Sequence, residues 1–313
     1  MTLTRHAIGS LQVAPLCLGG NVFGWTADET DSFAVLDAYT AAGGNFVDTA
    51  DSYSAWVEGH RGGESETVIG RWLASRRNRD SVIIATKVGR HPDAMGLSAP
   101  TILRAADESL RRLGTDHIDL YYTHFDDETV PVDEILTALD ELVRAGKVRE
   151  IGVSNITPAR LRASLEFSVR ENTARYVAIQ PHYNLVSRDT YEGERAALAA
   201  EYGLAALPYY ALAAGFLTGK YRPGAAPTGP RAAGAARHLE TERGRRVLAA
   251  LDEIAANRSA AHATVALAWL AARPTVAAPI ASARSADQLP PLLATADLTL
   301  TNAELALLTT ASA

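Results

Sequence analysis

The sequence is short of cysteine, of net positive charge and of long apolar runs, and each shortage closes off a class of protein. Its single cysteine, Cys17, cannot form an internal disulfide, and the opening MTLTRHAIGS lacks the apolar stretch of a secretory signal. Together these predict a reducing, cytoplasmic setting. A formal charge of -6, with no dense Lys/Arg block, leaves nothing to compensate a nucleic-acid backbone. No uninterrupted apolar run reaches the roughly 18 residues that suggest a membrane span, so a soluble chain without a membrane partner is expected. The eight histidines stand in no His-x3-His pattern and one cysteine permits no Cys-x2-Cys pair, so no metal site is expected.

What is present is apolar content and a regular rhythm. At 313 residues and 47% hydrophobic, the chain suits one large domain, 1–313, in the size range of a single α/β barrel. Amphipathic segments at 102–113 and 132–145 carry apolar residues at helical spacing. Glycines such as Gly43-Gly44, Gly114, Gly146 and Gly203 then stop each helix a few residues before an apolar run. Eight such runs read as strands: Leu16–Gly19, Asn45–Asp48, Val82–Lys87, Ile118–Tyr122, Val148–Val153, Tyr176–Pro181, Leu204–Tyr209 and Thr275–Ile280. Nearly all are continuous rather than alternating, the mark of strands covered on both faces. The pattern predicts a closed (β/α)8 barrel; an open doubly wound sheet is the alternative on pattern alone. The segments 4–8 and 11–14, joined at Gly9-Ser10, read as a β-hairpin plugging the barrel floor. The capping box Thr301-x-x-Glu304 opens an extra C-terminal helix. Residues 222–237, rich in Gly, Pro and Ala, read as a flexible loop after strand seven, either a lid or a passive linker.

Barrel chemistry sits at the carboxyl ends of the strands. Strand two ends in Asp48 with Tyr53 just beyond, strand three in Lys87, and strand four at His124. In a closed barrel these three ends are neighbours. Each residue alone has an ordinary structural reading, as a turn cap, a surface tyrosine, a solvated lysine or a hydrogen-bonded histidine.

Taken together, FVDTADSY, ATKVG and YYTHFDD resemble the Asp, Tyr, Lys and His tetrad of the aldo-keto reductases in order and approximate spacing. The likeness spans nearly the whole chain, through LGGNVFGW, GESETVIGRWL, GKVREIGVSN, QPHYN and GFLTGKY. It implies an NAD(P)H-dependent reductase of aldehydes or ketones. The tetrad also makes physical sense. Hydride transfer to a carbonyl builds negative charge on oxygen, which a nearby proton donor must meet. Tyr53 is the expected general acid, with Lys87 lowering its pKa, Asp48 holding Lys87 in place, and His124 orienting the carbonyl.

Neither a Rossmann fingerprint nor a phosphate loop is present, because GGNVFG and GFLTGKY have the wrong spacing. The resemblance instead implies a cofactor extended across the barrel mouth. Ser154, Asn155 and Gln180 would bond the nicotinamide carboxamide and Tyr209 would stack under its ring, with Gly20, Asn21, Asp48, Leu212 and Lys220 as further contacts. Tyr209 filling the top of the core is the other reading. The stretch PIASARSADQL resembles the family's adenine and 2′-phosphate loop, with Ser282 at a usual glycine position and Gln288 at the glutamine. Arg284 would favour NADPH, with NADH as the other possible cofactor. Pro290-Pro291-Leu292 departs from the family's acidic and asparagine contacts. Trp25, Trp56 and Phe125 are candidate walls of an apolar pocket for a small-molecule carbonyl substrate. The rival readings are a nicotinamide-binding sensor similar to channel β subunits, and a different barrel enzyme such as an isomerase. Oligomeric state has no signature in the sequence.

Overall fold

A computed structural model describes residues 3–222 and 232–313. Eight parallel strands form one sheet: β1 (Cys17–Gly19), β2 (Phe46–Asp48), β3 (Ile83–Val88), β4 (Ile118–Thr123), β5 (Val148–Ser154), β6 (Tyr176–Gln180), β7 (Ala205–Ala206) and β8 (Ile280–Ala281). Their spatial order follows the chain, with β8 beside β1. Backbone bonds close the ring between the last two segments: Ala206 N–H donates to Thr275 O at 2.8 Å, Ala277 N–H to Ala206 O at 3.0 Å, and Ile280 N–H to Pro208 O at 2.9 Å. The fold is a (β/α)8 barrel.

The final two strands are much shorter than the apolar runs Leu204–Tyr209 and Thr275–Ile280 predict. Pro208 and Pro279 explain this, because each removes a ladder donor from its strand. The chain still follows the ring there, through single bonds such as Tyr209 N–H to Pro181 O at 2.9 Å.

Helices α1 (Glu29–Ala41), α2 (Glu64–Arg76), α3 (Ala99–Leu113), α4 (Val132–Arg144), α5 (Pro158–Glu171) and α6 (Glu194–Tyr202) each follow one of the first six strands. Thr157 caps α5 by accepting from Arg160 N–H, and Thr301 with Glu304 forms a reciprocal capping box on the last helix, Asn302–Ala311. Among the described residues, α7 (Ala232–Glu240), α8 (Glu242–Arg258) and α9 (His262–Ala271) lie between β7 and β8. The loop expected at 222–237 is corrected on both sides. Arg222 is clamped by both carboxylate oxygens of Asp252 at 2.9 and 2.7 Å, and residues 232–237 are helical. Alanine-rich AAGAAR favours that helix once Pro230 is passed. The rest of the predicted loop, 223–231, lies outside the described residues.

Two apolar cores flank the sheet. One lies between strands and helices. The other fills the ring and includes Cys17, Phe46, Ala85, Leu120, Tyr122, Ala178 and Leu207. Beneath it His6–Ile8 pairs antiparallel with Leu11–Val13, and Ile8, Leu11 and Val13 join the interior cluster. Strand alternation then decides what reaches the mouth. Two residues beyond interior Phe46 comes Asp48, beyond Ala85 comes Lys87, beyond Tyr122 comes His124, and beyond Ala178 comes Gln180. The ring is crowded at this level. A Cβ on Gly152 would fall 2.4 Å from the Tyr122 ring, so only glycine lets β5 pass that side chain.

Candidate active site

The top of the barrel holds a cleft of about 1020 Å³, open along one side. On its floor Lys87 is completely buried and uses all three ammonium protons. It donates to Asp48 Oδ2 at 2.7 Å, to Thr49 O at 2.6 Å and to the Tyr53 hydroxyl at 2.9 Å. The second carboxylate oxygen of Asp48 accepts from Gln180 Nε2 at 2.9 Å. Tyr53 also lies 3.3 Å from Asp48 Oδ2, within hydrogen-bond reach. These buried charges are therefore paired and fixed before any ligand arrives.

One electrostatic expectation is reversed. The Tyr53 phenol is pushed well above the ordinary tyrosine range, first by burial and then by the adjacent Asp48 carboxylate. The ammonium beside it does not overcome those two causes, so the phenol keeps its proton. Across the cleft the His124 imidazole is held well below its ordinary value by burial and by the charges of Lys87 and Arg90, leaving it neutral near pH 7. Its Nδ1 is buried without a hydrogen-bond partner among the described residues. The Tyr53 and His124 ring centroids are 6.1 Å apart.

A second chain of polar groups follows from β5 and β6. Ser154 Oγ donates to Gln180 O at 2.8 Å, Asn155 Nδ2 to His124 O at 2.8 Å, and the Tyr209 hydroxyl to Asn155 Oδ1 at 2.8 Å. Tyr209 lines the cleft and is backed by the ring of His182, stacked at 5.4 Å and inclined by 23°. At the opposite end Ser282 Oγ donates to Asn21 Oδ1 at 2.6 Å, and Arg284 N–H to Gln288 Oε1 at 3.0 Å. Leu212 and Lys220 line the same stretch. Trp25 and Trp56 meet edge to face at 5.5 Å beside Tyr53, and Trp56 is 53% exposed.

Besides Lys87, which is buried under the cleft floor, two residues expected in the site do not line the cleft. Gly20 faces away: a Cβ there would meet Ser65 Oγ and Asp48 O, whereas Gly19 is the lining glycine. Phe125 lies behind Arg90, whose guanidinium carbon sits 4.9 Å above its ring. Conversely, Arg90 and Tyr210 line the cleft without having been singled out by the sequence. The only available signal for Arg90 was its position three residues after Lys87.

The sequence profile described as "Aldo/keto reductase family" matches residues 15–313. The chain belongs to the aldo/keto reductase family. It is similar to Protein tas of Escherichia coli (strain K12), 34% identical over 92% of this chain and 91% of that one. It is also similar to the uncharacterized oxidoreductase YrpG of Bacillus subtilis, 36% identical over 89% and 86% of the two chains. Norsolorinic acid reductase B of Aspergillus parasiticus is 32% identical, over 94% of this chain and 80% of that one. As a member of the family the protein is an oxidoreductase of carbonyl compounds, and its family generally uses NAD(P)H. Among the described residues no helix is long and apolar enough to cross a membrane, and no cluster of three metal-ligating side chains occurs.

Proposed function

We propose that this aldo/keto reductase family member reduces aldehydes or ketones with NADPH, using Tyr53 as the proton donor. The observation that carries the reading is the Tyr53 hydroxyl held 2.9 Å from a buried ammonium at the edge of an open cleft. The residues present fit an extended dinucleotide. Amide and hydroxyl groups of Ser154, Asn155 and Gln180 gather beside the tyrosine face of Tyr209, while Lys220 and Arg284 supply cations toward the other end. Bound there, the nicotinamide would supply a hydride.

The protein's own contributions are position and charge. Tyr53 arrives protonated and lies where a carbonyl oxygen gains negative charge; its proton passes to that oxygen as the charge develops. The phenolate left behind faces Lys87, whose ammonium is already in place and needs no rearrangement. Neutral His124 donates a hydrogen bond to the same oxygen and sets the carbonyl's orientation. Asp48 keeps Lys87 aimed, and Gln180 keeps Asp48 aimed. Trp25, Trp56 and Tyr210 wall the reacting carbon with apolar surface and suit an aromatic or otherwise apolar carbonyl compound. Arg284, exposed and without an ion-pair partner among the described residues, supports recognition of the 2′-phosphate and hence NADPH over NADH.

The test is a screen for loss of reduced-nicotinamide absorbance over aromatic aldehydes, quinones, keto acids and keto sugars, with NADPH and NADH. Turnover of at least one carbonyl class with NADPH is expected. Tight nucleotide binding with no turnover of any class would contradict the reading.

A further inference from the structure

The charges lining the cleft divide by position in the ring. Lys220, Arg284 and Asp287 come from the segments after β7 and β8. Asp48 is neutralised on the floor by Lys87 at 2.7 Å. Arg90 stands apart. It follows β3, between β2, which leads to Tyr53, and β4, which leads to His124, and it lies across the barrel from the segments that carry the other cations. Its charge therefore belongs to the part of the cleft where a reacting carbonyl would be held.

Arg90 is also mounted firmly and left open. It opens a two-residue antiparallel pairing, Arg90 opposite Met95 and His91 opposite Ala94. Gly96 N–H donates to Gly89 O at 3.1 Å across its base, and Leu97 N–H to the Asp127 carboxylate at 3.0 Å. Gly89 has φ +110, and a Cβ there would lie 2.9 Å from Leu97 and 3.2 Å from Phe125, so the hairpin leaves β3 in one direction. The Phe125 ring supports the flat guanidinium from behind at 4.9 Å. Among the described residues this guanidinium makes no hydrogen bond and no ion pair. It keeps a fork of donors suited to a planar anion. A cation that only decorated the surface would need neither the stiff mount nor a place in the cleft lining.

We propose that Arg90 anchors a carboxylate on the substrate, so that the preferred compounds are oxo-acids: aldehydes or ketones with an apolar body and an acid group away from the reacting carbonyl. The proposal rests on the reductase reading above. The cation holds the acid while Trp25 and Trp56 enclose the body between acid and carbonyl, which is then presented to Tyr53. The same field lies close to His124 and Tyr209, in keeping with an Arg90 charge directed at the reacting end rather than into bulk solvent.

The experiment compares kcat/KM for 2-, 3- and 4-carboxybenzaldehyde with kcat/KM for the matching methyl esters, using the full chain and NADPH. The esters keep ring and aldehyde and remove the charge, and three isomers cover different reaches. The wild-type chain should favour the best acid over its ester by about tenfold or more, the scale of a charge-assisted hydrogen bond. Arg90→Met should bring that ratio near one, Arg90→Lys should retain part of it, and raised salt should shrink it in the wild type. An ester preference in the wild type, or an unchanged ratio in Arg90→Met, overturns the Arg90 assignment while leaving the reductase reading in place. Failure of every acid and ester to oxidise NADPH overturns the oxo-acid proposal, and the reductase reading falls with it only if the wider carbonyl screen also shows no turnover with either nucleotide.

Discussion

The floor of the cleft and its rim are built on opposite plans. On the floor, Asp48, Lys87 and Gln180 are buried, and Lys87 and Gln180 each donate to one carboxylate oxygen of Asp48. On the rim, Arg90, Lys220 and Arg284 are exposed and hold no carboxylate among the described residues. Burial explains the contrast. A charge removed from water must be paired within the protein, so the floor is complete before a ligand binds, whereas exposed cations lose little by waiting. On the proposed reading the contrast is a division of labour, in which the floor fixes the chemistry and the rim chooses what is brought to it.

Substitutions on the floor should therefore be severe. Tyr53→Phe removes the proposed proton donor and should lower kcat by roughly 10²- to 10⁴-fold, read by steady-state turnover, while nucleotide binding measured by fluorescence quenching survives. Lys87→Met leaves the Asp48 carboxylate buried without its cation. Denaturant unfolding should show a loss of about 3 to 5 kcal/mol together with lost turnover. Wild-type stability in Lys87→Met would show that the floor is less closed than its bonds imply.

Behind the floor sits a buried group that the pairing plan does not satisfy. Burial, then the neighbouring Glu66 carboxylate, push the Asp51 carboxyl up to about 7 from 3.8, and neither oxygen finds a hydrogen-bond partner among the described residues. The folded protein thus holds this proton more tightly than the unfolded chain between about pH 4 and 7. The resulting stabilisation is complete at low pH and is lost as pH rises through 7. Asp51→Asn should remove this slope and stabilise the protein at pH 8 by on the order of 2 to 4 kcal/mol, read from unfolding midpoints at pH 5 and 8. An unchanged slope would place the proton elsewhere.

The rim should respond more mildly and selectively. Arg284→Ala should raise KM for NADPH about tenfold and leave KM for NADH nearly as it was, since only the proposed phosphate contact is removed. Equal changes for the two nucleotides would assign Arg284 a structural role.

How much of this the sequence disclosed follows the same division. Asp48, Lys87, His124 and Gln180 were legible because each lies two residues beyond an interior strand residue, at the end of a continuous apolar run. The lengths of β7 and β8 were not, since apolar composition hid the ladder donors missing at Pro208 and Pro279. Residues 232–237 read as loop because glycine and proline dominate the stretch before them, yet alanine carried the helix. Arg90 escaped notice because exposed arginines are common, and only the ring shows which neighbours it has. The direction of the Tyr53 shift was also hidden: spacing names the ammonium but does not weigh it against burial and Asp48.

The central claim is that Tyr53 waits with its proton and His124 waits without a charge. It is tested most directly by the pH dependence of kcat/KM for an aldehyde at saturating NADPH, from pH 6 to 9.5. The profile should be run on the wild-type chain and on Asp51→Asn, which removes the nearby carboxyl that titrates close to 7. Because the phenol lies well above its usual range and the imidazole well below, the Asp51→Asn profile should be flat throughout. A fall in rate with an apparent pKa between 7 and 9, lost in Tyr53→Phe, would mean that the ammonium had won after all and that the proton donor is set by Lys87 rather than by burial.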